Sequence, residues 1–166
     1  MKWHCSPRWP VAEMPFLSST PIALEPLLAA VQSPTLGGEA IFRGVVRSTH
    51  AGREVVQLAY SAYEAMAEGE CSRIVAEAEG KWPVRIALAH RVGELAVGDV
   101  AMIVVVAAGH REEAFAACRW TVDEVKRRVP IWKRETYADG SVAWVDPTAP
   151  GGTVPAEAPS HAGHDA

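Results

Sequence analysis

The longest uninterrupted apolar segment of the chain runs from Val100 to Ala108 and contains no polar side chain. It is too short to cross a bilayer as a helix, which takes about 20 apolar residues. The segment is rich in valine, and it lacks the alternation of apolar and polar residues expected of a strand that faces solvent on one side. We therefore predict a β-strand that is covered on both faces.

The spacing of apolar residues predicts two long helices elsewhere in the chain. Apolar residues recur at helical spacing from Glu64 to about Glu79 and again from Glu112 to Arg128. Gly80 with Pro83 beyond it is expected to close the first helix, and Pro130 is expected to stop the second. One apolar stripe of the second helix is expected to face the core: Phe115, Cys118, Val122, Val125 and Val129.

Alternating residues predict strands over Ala40–Arg47 and Val55–Tyr63, which we expect to pair as a hairpin. Gly93 and the Gly98-Asp99 pair are read as bracketing a short connection. The order of elements predicts an α+β fold with a mainly antiparallel sheet and helices on one face. The remaining expected elements are a strand over 16–19, a helix over Leu24–Val31, a strand over Val84–His90, and strands Trp132–Tyr137 and Val142–Val145 flanking an Asp139-Gly140 turn.

Length and composition fit one globular domain. The chain has 166 residues, of which 49% are hydrophobic and 22% charged. We place the domain at residues 14–147, after an N-terminal extension over 1–13 and before a tail over 148–166 that we expect to be disordered. Because the N-terminus lacks the pattern of a secretory signal, we expect a soluble cytoplasmic protein without membrane contact.

Neither a metal site nor a nucleic-acid site is indicated. The three cysteines are widely spaced and form no CxxC pair, so we read them as free structural thiols. His161 and His164 could bind a stray metal ion, but a disordered polar end is the preferred interpretation. The net charge of −4 argues against a general nucleic-acid binder, and no stacking-aromatic motif supports an RNA-binding domain.

Positive charge is concentrated in one segment of this acidic chain, between His110 and Glu135. The chain has four lysines against twelve arginines, and Lys126 and Lys133 both lie in this segment. Lysine can lose its proton when buried and then act as acid, base or nucleophile. We expect Lys126 at the edge of the core, where desolvation would favour a lowered pKa. The alternative is that its stem covers apolar surface while its charged end reaches water.

Lys133 and Trp132 should point to opposite faces of their predicted strand. With Trp132 inward, Lys133 would face solvent or a cleft. Arg134 and Glu135 could form a surface ion pair that contributes little. The closeness of Lys133 to Lys126, on a segment made rigid by Pro130, favours a shared role for the two amines.

His110 and Arg111 lie between the buried strand and the second long helix, where the helix dipole favours an anion. Arg111 could hold a phosphate there while His110 moves a proton, although such a pair is also common as a cap or surface feature. Arg47 ends a strand beside a polar loop, which suits a ligand contact and a solvated charge equally. His90 has the inward phase of its strand and is read as a satisfied core histidine.

Six segments recur in a distinctive order and spacing: Phe42–Arg47, Tyr60–Ala67, His90–Gly93, Gly109–Arg111, Val125-Lys126 and Pro130–Glu135. Taken together, they resemble the large, catalytic subunit of molybdopterin synthase. The resemblance extends from about Phe16 to Pro147, and the run from Pro130 to Glu135 is its most distinctive part. Ser61 stands where the family usually has Glu, and the two ends of the chain have no recognised counterpart.

The resemblance implies an α/β hammerhead-like sandwich with a small additional β-subdomain, and a sulfur-transfer reaction without a bound cofactor. The family converts cyclic pyranopterin monophosphate into molybdopterin. Sulfur arrives on the C-terminal Gly-Gly thiocarboxylate of a small ubiquitin-like carrier subunit, so the large subunit needs no reactive cysteine. Two large subunits pair centrally, with one small subunit at each end of the heterotetramer.

By similarity, Lys126 and Lys133 would be the essential amines. We assign Lys126 an acid, base or transient covalent role. We assign Lys133 a role in binding the carrier terminus and the developing negative charge. Arg47, His110 and Arg111 would bind the phosphate and the pterin of the substrate. The open alternative is a non-catalytic module that docks a ubiquitin-like tail through the same pocket.

Overall fold

The computed structural model of the protein describes residues 14–145 and 153–154. These residues form three helices and ten strands, and both long predicted helices are present. In chain order the elements are β1 (Leu17–Ser18), α1 (Leu24–Val31), β2 (Gly38–Val45), β3 (Thr49–His50), β4 (Arg53–Ala62), α2 (Glu64–Lys81), β5 (Val84–Arg91), β6 (Gly93–Ala96), β7 (Val100–Ala108), α3 (Arg111–Arg128), β8 (Ile131–Tyr137), β9 (Val142–Val145) and β10 (Thr153–Val154).

The predicted apolar strand, β7, lies inside a four-stranded sheet with the order β1-β5-β7-β2, here called the first sheet. It pairs antiparallel with β5 on one side and with β2 on the other, and β1 adds to β5 in parallel. Every residue from Ala101 to Ala108 is buried. The prediction of a strand covered on both faces is therefore confirmed.

Alternate side chains of β7 enter two different hydrophobic cores. Met102 and Val104 pack in the larger core, between the first sheet and the helices α2 and α3. Val105 packs in the smaller core against Leu27 and Val31 of α1. The two long helices share one face of the sheet as expected, and the short helix α1 covers the opposite face. This double cover explains why β7 lacks polar residues.

The expected hairpin between the strands after Ala40 and after Val55 does not form, so that prediction was wrong. β2 pairs with β7, whereas β4 pairs with β3, β6 and β8. Pairing with β7 lets Ala40 and Phe42 of β2 pack in the larger core. Burial of these side chains outweighs the usual preference for pairing with the neighbouring strand in sequence.

β4 belongs to a second sheet of six strands, five of which have the order β10-β9-β8-β4-β3. β8 and β9 form the hairpin predicted around Asp139 and Gly140, and Gly140 has a φ of +80° in the turn. β6 also pairs with β4, at the place where we expected only a connection, so that interpretation was wrong. Four residues between glycines are too few to show a periodic pattern. The α+β class with mainly antiparallel pairing is confirmed.

Two of the expected segments lie largely outside the described residues. The extension over 1–13 and most of the tail over 148–166, with His161 and His164, are not among them. Thr153 and Val154, which form β10 against β9, fall within the segment expected to be disordered.

The inward face of α3 differs from the expected stripe at one end. Phe115 is 65% exposed, whereas Ala114, Ala117 and Thr121 are buried. The buried positions at this end of the helix carry small side chains, which let its backbone pack closely on the sheet. The predicted end of α2 was also early, because the helix continues through Gly80 to Lys81.

The described cysteines are free thiols in the larger core. Cys71 and Cys118 are both buried. Burial raises the pKa of the Cys71 thiol to about 12, which keeps it protonated and unreactive. Among the helices of the described ranges, none is both long and apolar enough to cross a membrane.

Candidate active site

A cavity of about 550 Å³ lies where β2, the end of α3 and the second sheet meet. Lys126, Lys133 and Arg47, three of the residues predicted from the sequence, all line it. The complete lining is Phe42, Arg43, Gly44, Val45, Val46, Arg47, Thr49, His50, Leu58, Tyr60, His90, Ala101, Met102, Val125, Lys126, Val129, Ile131, Lys133, Glu135 and Val145.

Lys126 reaches the cavity from the last turn of α3. Its Nζ lies 5.6 Å from the centroid of the Phe42 ring, which is within range of a cation–π contact. The neighbouring Val125 and Val129 are buried and hold this turn on the core. Lys126 itself is exposed. This exposure fits the alternative in which the stem of Lys126 covers apolar surface while its charged end reaches water, and the expected desolvation is not observed.

Lys133 enters the cavity from β8, two residues into that strand. Ile131 and Tyr137 are buried, and they set the inward phase of β8 that Lys133 shares. Trp132 is 43% exposed, so the expectation that it points inward was wrong. Of the two places considered for Lys133, solvent or a cleft, it occupies the cleft.

Glu135 lines the cavity, is only 2% exposed, and accepts hydrogen bonds from three side chains. Its Oε1 accepts from Lys133 Nζ at 3.0 Å. Its Oε2 accepts from His50 Nδ1 at 2.8 Å and from the Tyr137 hydroxyl at 2.8 Å. The expected surface pair of Arg134 with Glu135 is wrong, because the strand phase directs Glu135 inward.

The carboxyl of Glu135 is held in its ionised form. Burial by itself would raise its pKa, but hydrogen bonds from Tyr137 and Lys133, together with the charges of Lys133 and His50, hold that pKa below the ordinary value. An ionised carboxylate can only accept hydrogen bonds, so each of its three partners must be a donor. Glu135 therefore fixes the direction from which the Lys133 amine faces the cavity.

Tyr60 and His90 form a neutral wall of the cavity. Tyr60 is directly opposite Lys133 in the β4–β8 ladder, and its ring meets His90 edge to face with 4.9 Å between centroids. Burial, and then the charge of Glu135, raises the pKa of Tyr60 to about 12. Burial lowers the pKa of His90 to about 4, although its Nδ1 donates to the Arg91 carbonyl at 2.7 Å. The interpretation of His90 as a satisfied core histidine agrees with this geometry.

His110 and Arg111 lie at the other end of α3 from Lys126 and do not line the cavity. The sixteen residues from His110 to Lys126 correspond to about 24 Å along a helix axis. Both residues are exposed. His110 is the N-cap residue of α3 but makes no side-chain capping hydrogen bond. One copy of the chain therefore does not bring these two residues together with the lysines.

Four residues at the site were not singled out from the sequence: Arg43, His50, Tyr60 and Glu135. For Glu135 a signal existed, because residues two apart on a strand share a face and Lys133 was already a candidate. Tyr60 comes from a strand whose predicted pairing was wrong, and His50 lies between the two predicted strands, where only a polar loop was expected. Their approach to Glu135 and Lys133 could not be read without the correct sheet order.

The described lining of the cavity is electropositive. It carries the cations Arg43, Arg47, Lys126 and Lys133 against the single carboxylate of Glu135. Within residues 14–145 and 153–154, no cluster of three His, Cys, Asp or Glu side chains could hold a metal ion. The arrangement can bind an anion and can offer a primary amine as proton donor, acceptor or nucleophile.

Comparison with known proteins gives consistent matches. The model of the MoaE protein family matches residues 17–128, which includes Lys126 and ends before Lys133. The molybdopterin synthase catalytic subunit of Pyrococcus abyssi is 49% identical over 124 residues, covering 74% of this chain and 83% of the relative. Catalytic subunit 1 from Mycobacterium tuberculosis is 42% identical over 130 residues, covering 78% and 88%. The crystal structure of molybdopterin synthase from Staphylococcus aureus aligns with a TM-score of 0.74 at 32% identity, covering 77% of this chain and 93% of that one.

Proposed function

The chain belongs to the MoaE protein family, whose named relatives are catalytic subunits of molybdopterin synthase, and from this premise we propose that the lysine-lined cavity is its sulfur-transfer site. Its activity is sulfur transfer in molybdenum cofactor biosynthesis. The thiocarboxylated end of a small carrier subunit supplies the sulfur. Cyclic pyranopterin monophosphate receives it and becomes the dithiolene of molybdopterin.

The observation that carries the site assignment is the meeting of two amines from different elements in one electropositive cavity. Lys126 comes from the end of α3 and Lys133 from β8, and both line the same 550 Å³ space. A carboxylate-like carrier end and a phosphate-bearing substrate are both anionic, and such a cavity favours them. This supports the assignment of Lys126 and Lys133 as the essential residues.

We assign the two amines different tasks because their surroundings differ. Lys126 is exposed and makes no ion pair with the described residues, so its amine is free to move a proton or to bond transiently to a reacting carbon. Lys133 is held by Glu135 at 3.0 Å and presents its remaining N–H donors in a fixed direction. A fixed donor suits binding of the carrier terminus and of the negative charge that develops there.

Arg47, His110 and Arg111 are proposed to bind the phosphate and pterin of the substrate. Arg47 lies at the cavity and can act within one copy. His110 and Arg111 are at the far end of α3 from Lys126, so they would act at the cavity of a second copy. This placement fits the proposed assembly of two large subunits paired centrally with one small subunit at each end.

The proposed partner is a small ubiquitin-like subunit that ends in Gly-Gly. The name of the relatives, catalytic subunit, denotes one part of a larger enzyme. As part of the proposal, the enzyme acts in the cytoplasm, a reducing compartment in which the thiols of Cys71 and Cys118 remain free.

The test is a single-turnover assay of dithiolene formation with thiocarboxylated carrier and cyclic pyranopterin monophosphate. Lys126→Ala is expected to lower the rate by at least about 100-fold, the usual contribution of an acid–base residue, while the melting temperature stays unchanged. Lys133→Ala is expected to lower the rate as well. Lys81→Ala is the matched control, since Lys81 lies at the end of α2 and does not line the cavity.

Near-normal turnover by Lys126→Ala would refute the proposed role of that residue. Carrier binding without turnover by the unsubstituted protein, under conditions where a Staphylococcus aureus synthase turns over, would favour the non-catalytic docking module instead.

A further inference from the structure

The buried carboxylate of Glu135 is divided between two tasks. Oε1 binds Lys133 Nζ at 3.0 Å, whereas Oε2 binds His50 and Tyr137, each at 2.8 Å. Lys133 is the residue proposed to act in the reaction, whereas His50 and Tyr137 bind the other oxygen of its carboxylate partner. They therefore act on Lys133 through Glu135.

His50 reaches Glu135 from a separate part of the chain. It belongs to the two-residue strand β3, which is paired with β4 through Thr49 opposite Glu54 and His50 opposite Arg53. Its side chain is 18% exposed, and that of Glu135 is 3% exposed. Because Glu135 is ionised, the Nδ1 of His50 must carry the proton of this contact. The imidazole thus has one defined donor aimed at the carboxylate.

We propose that His50 is a positioning residue for sulfur transfer, which fixes the Glu135 carboxylate so that the Lys133 amine points into the cavity. When one of the two donors on Oε2 is lost, the carboxylate is held less firmly, and it can turn so that either oxygen accepts from the ammonium group. Lys133 then samples directions that do not face the bound carrier end. Tyr137 is the second anchor of the same oxygen. The inference rests on the proposed role of Lys133.

The chain allows a sharp choice of substitutions at His50. The Nδ1 atom of histidine occupies the position of the side-chain amide nitrogen of asparagine, whereas glutamine places its amide one bond further out. His50→Asn therefore retains the donor that position 50 offers to Oε2, whereas His50→Ala and His50→Gln lose it and leave Tyr137 as the remaining donor. Tyr137→Phe removes only the hydroxyl and keeps the ring, so it provides a second, nearly isosteric way to release Oε2.

The direct measurement is the ¹⁵N resonance of the Lys133 ammonium group in the full-length labelled protein, with Lys81 as an internal reference. His50→Ala and Tyr137→Phe are expected to shift or broaden the Lys133 signal, His50→Asn to restore it, and the Lys81 signal to stay in place. An unmoved Lys133 signal in folded His50→Ala and Tyr137→Phe proteins would overturn the proposal.

The kinetic measurement uses the single-turnover and steady-state assays of dithiolene formation. His50→Ala and His50→Gln are expected to lower kcat by about tenfold or more with little change in KM, because a hydrogen bond to a charged group typically contributes such a factor. His50→Asn is expected to recover most of that loss. Equal activity of the Asn and Gln variants would contradict the positioning role.

A double substitution separates this inference from the role of Lys133 itself. If His50 acts through Lys133, adding His50→Ala to Lys133→Ala causes no further loss. A full tenfold further loss in that background would show that His50 acts by another route. Normal activity of Lys133→Ala alone would instead refute the proposed task of Lys133, while the resonance measurement would still decide whether His50 positions its amine.

Discussion

Replacement of Glu135 by Gln tests how much the buried carboxylate contributes to the fold. The substitution preserves size and one carbonyl oxygen, but it removes the charge and replaces the other oxygen by an NH₂ group. Glu135 accepts three hydrogen bonds, from Lys133, His50 and Tyr137. Whichever way the amide turns, its NH₂ group faces at least one of these donors.

The expected cost follows from the number and exposure of the lost contacts. A hydrogen bond to a charged group contributes about 1.5–3 kcal/mol, and one or two of the three are lost. The side chains of Lys133 and His50 are 19% and 18% exposed, so water in the cavity partly replaces the lost acceptor. We expect the free energy of unfolding to fall by about 2–3 kcal/mol. For a chain of this size the melting temperature should fall by roughly 5–10 °C.

The pH dependence gives this prediction a second readout. The folded-state pKa of Glu135 is below its ordinary value of 4.5, so the unfolded state binds more protons in the acid range. Its contribution to stability is complete above about pH 5 and is lost as the pH falls through the folded-state pKa. The stability difference between the unsubstituted protein and Glu135→Gln should therefore be constant from pH 7 to about 5 and should shrink at lower pH.

Urea unfolding followed by circular dichroism between pH 7 and pH 3 measures both quantities. A difference below about 0.5 kcal/mol at pH 7, within the range of ordinary surface substitutions, would refute the assigned role of the buried carboxylate. A difference that stays constant down to pH 3 would show that Glu135 is not ionised through the contacts described.

Two further predictions concern the core and the cavity wall. Leu27 of α1 is 1% exposed and packs in the smaller core. Leu27→Ala should lower the free energy of unfolding, measured in urea, by about 2–5 kcal/mol. A decrease of less than about 1 kcal/mol would mean that α1 does not pack as described. His90 has a folded-state pKa of about 4 against an ordinary value of 6.5. Because the unfolded state takes up the proton first, the protein should lose about 3 kcal/mol of stability as the pH falls from 6.5 to 4. His90→Asn should show less of this acid loss, and an identical pH profile of unfolding would contradict the neutral buried state.

Strong local patterns in the sequence are sufficient to predict several of the helices and strands. The apolar run of β7 indicated burial on both faces, and helical spacing followed by Pro130 located α3 within one residue. The turn chemistry of Asp139 and Gly140 indicated the β8–β9 hairpin. Each of these signals lies within a few residues of the structure that it specifies, so no knowledge of the remaining fold was needed.

The errors arose where distant contacts decide the outcome. The alternation predicts that the strand after Ala40 pairs with its neighbour in sequence, but it pairs with β7, where Phe42 packs against the larger core. The inward orientation predicted for Trp132 is wrong, because the buried side chains of Ile131 and Tyr137 determine the phase of β8. Size and hydrophobicity alone do not determine which face of a short strand is buried when both faces carry an apolar residue.

The candidate site was predictable to the same limited extent. Lys126, Lys133 and Arg47 were found by residue type and by family resemblance, and all three line the cavity. The contact of His50 with Glu135 joins residues 85 positions apart and depends on the pairing of β3 with β4 and of β4 with β8. Only the sheet order reveals such a contact.

Strand β7 is a wall shared by both hydrophobic cores, since Val104 packs towards α2 and α3 while Val105 packs towards α1. Neither core can lose its packing without exposing one side of the strand that supports the other. Melting should therefore be a single cooperative transition, with equal calorimetric and van't Hoff enthalpies for the described domain. Destabilising substitutions in the smaller core under α1, which is remote from the proposed site, should lower the amount of active enzyme in the cell without changing the activity per folded molecule.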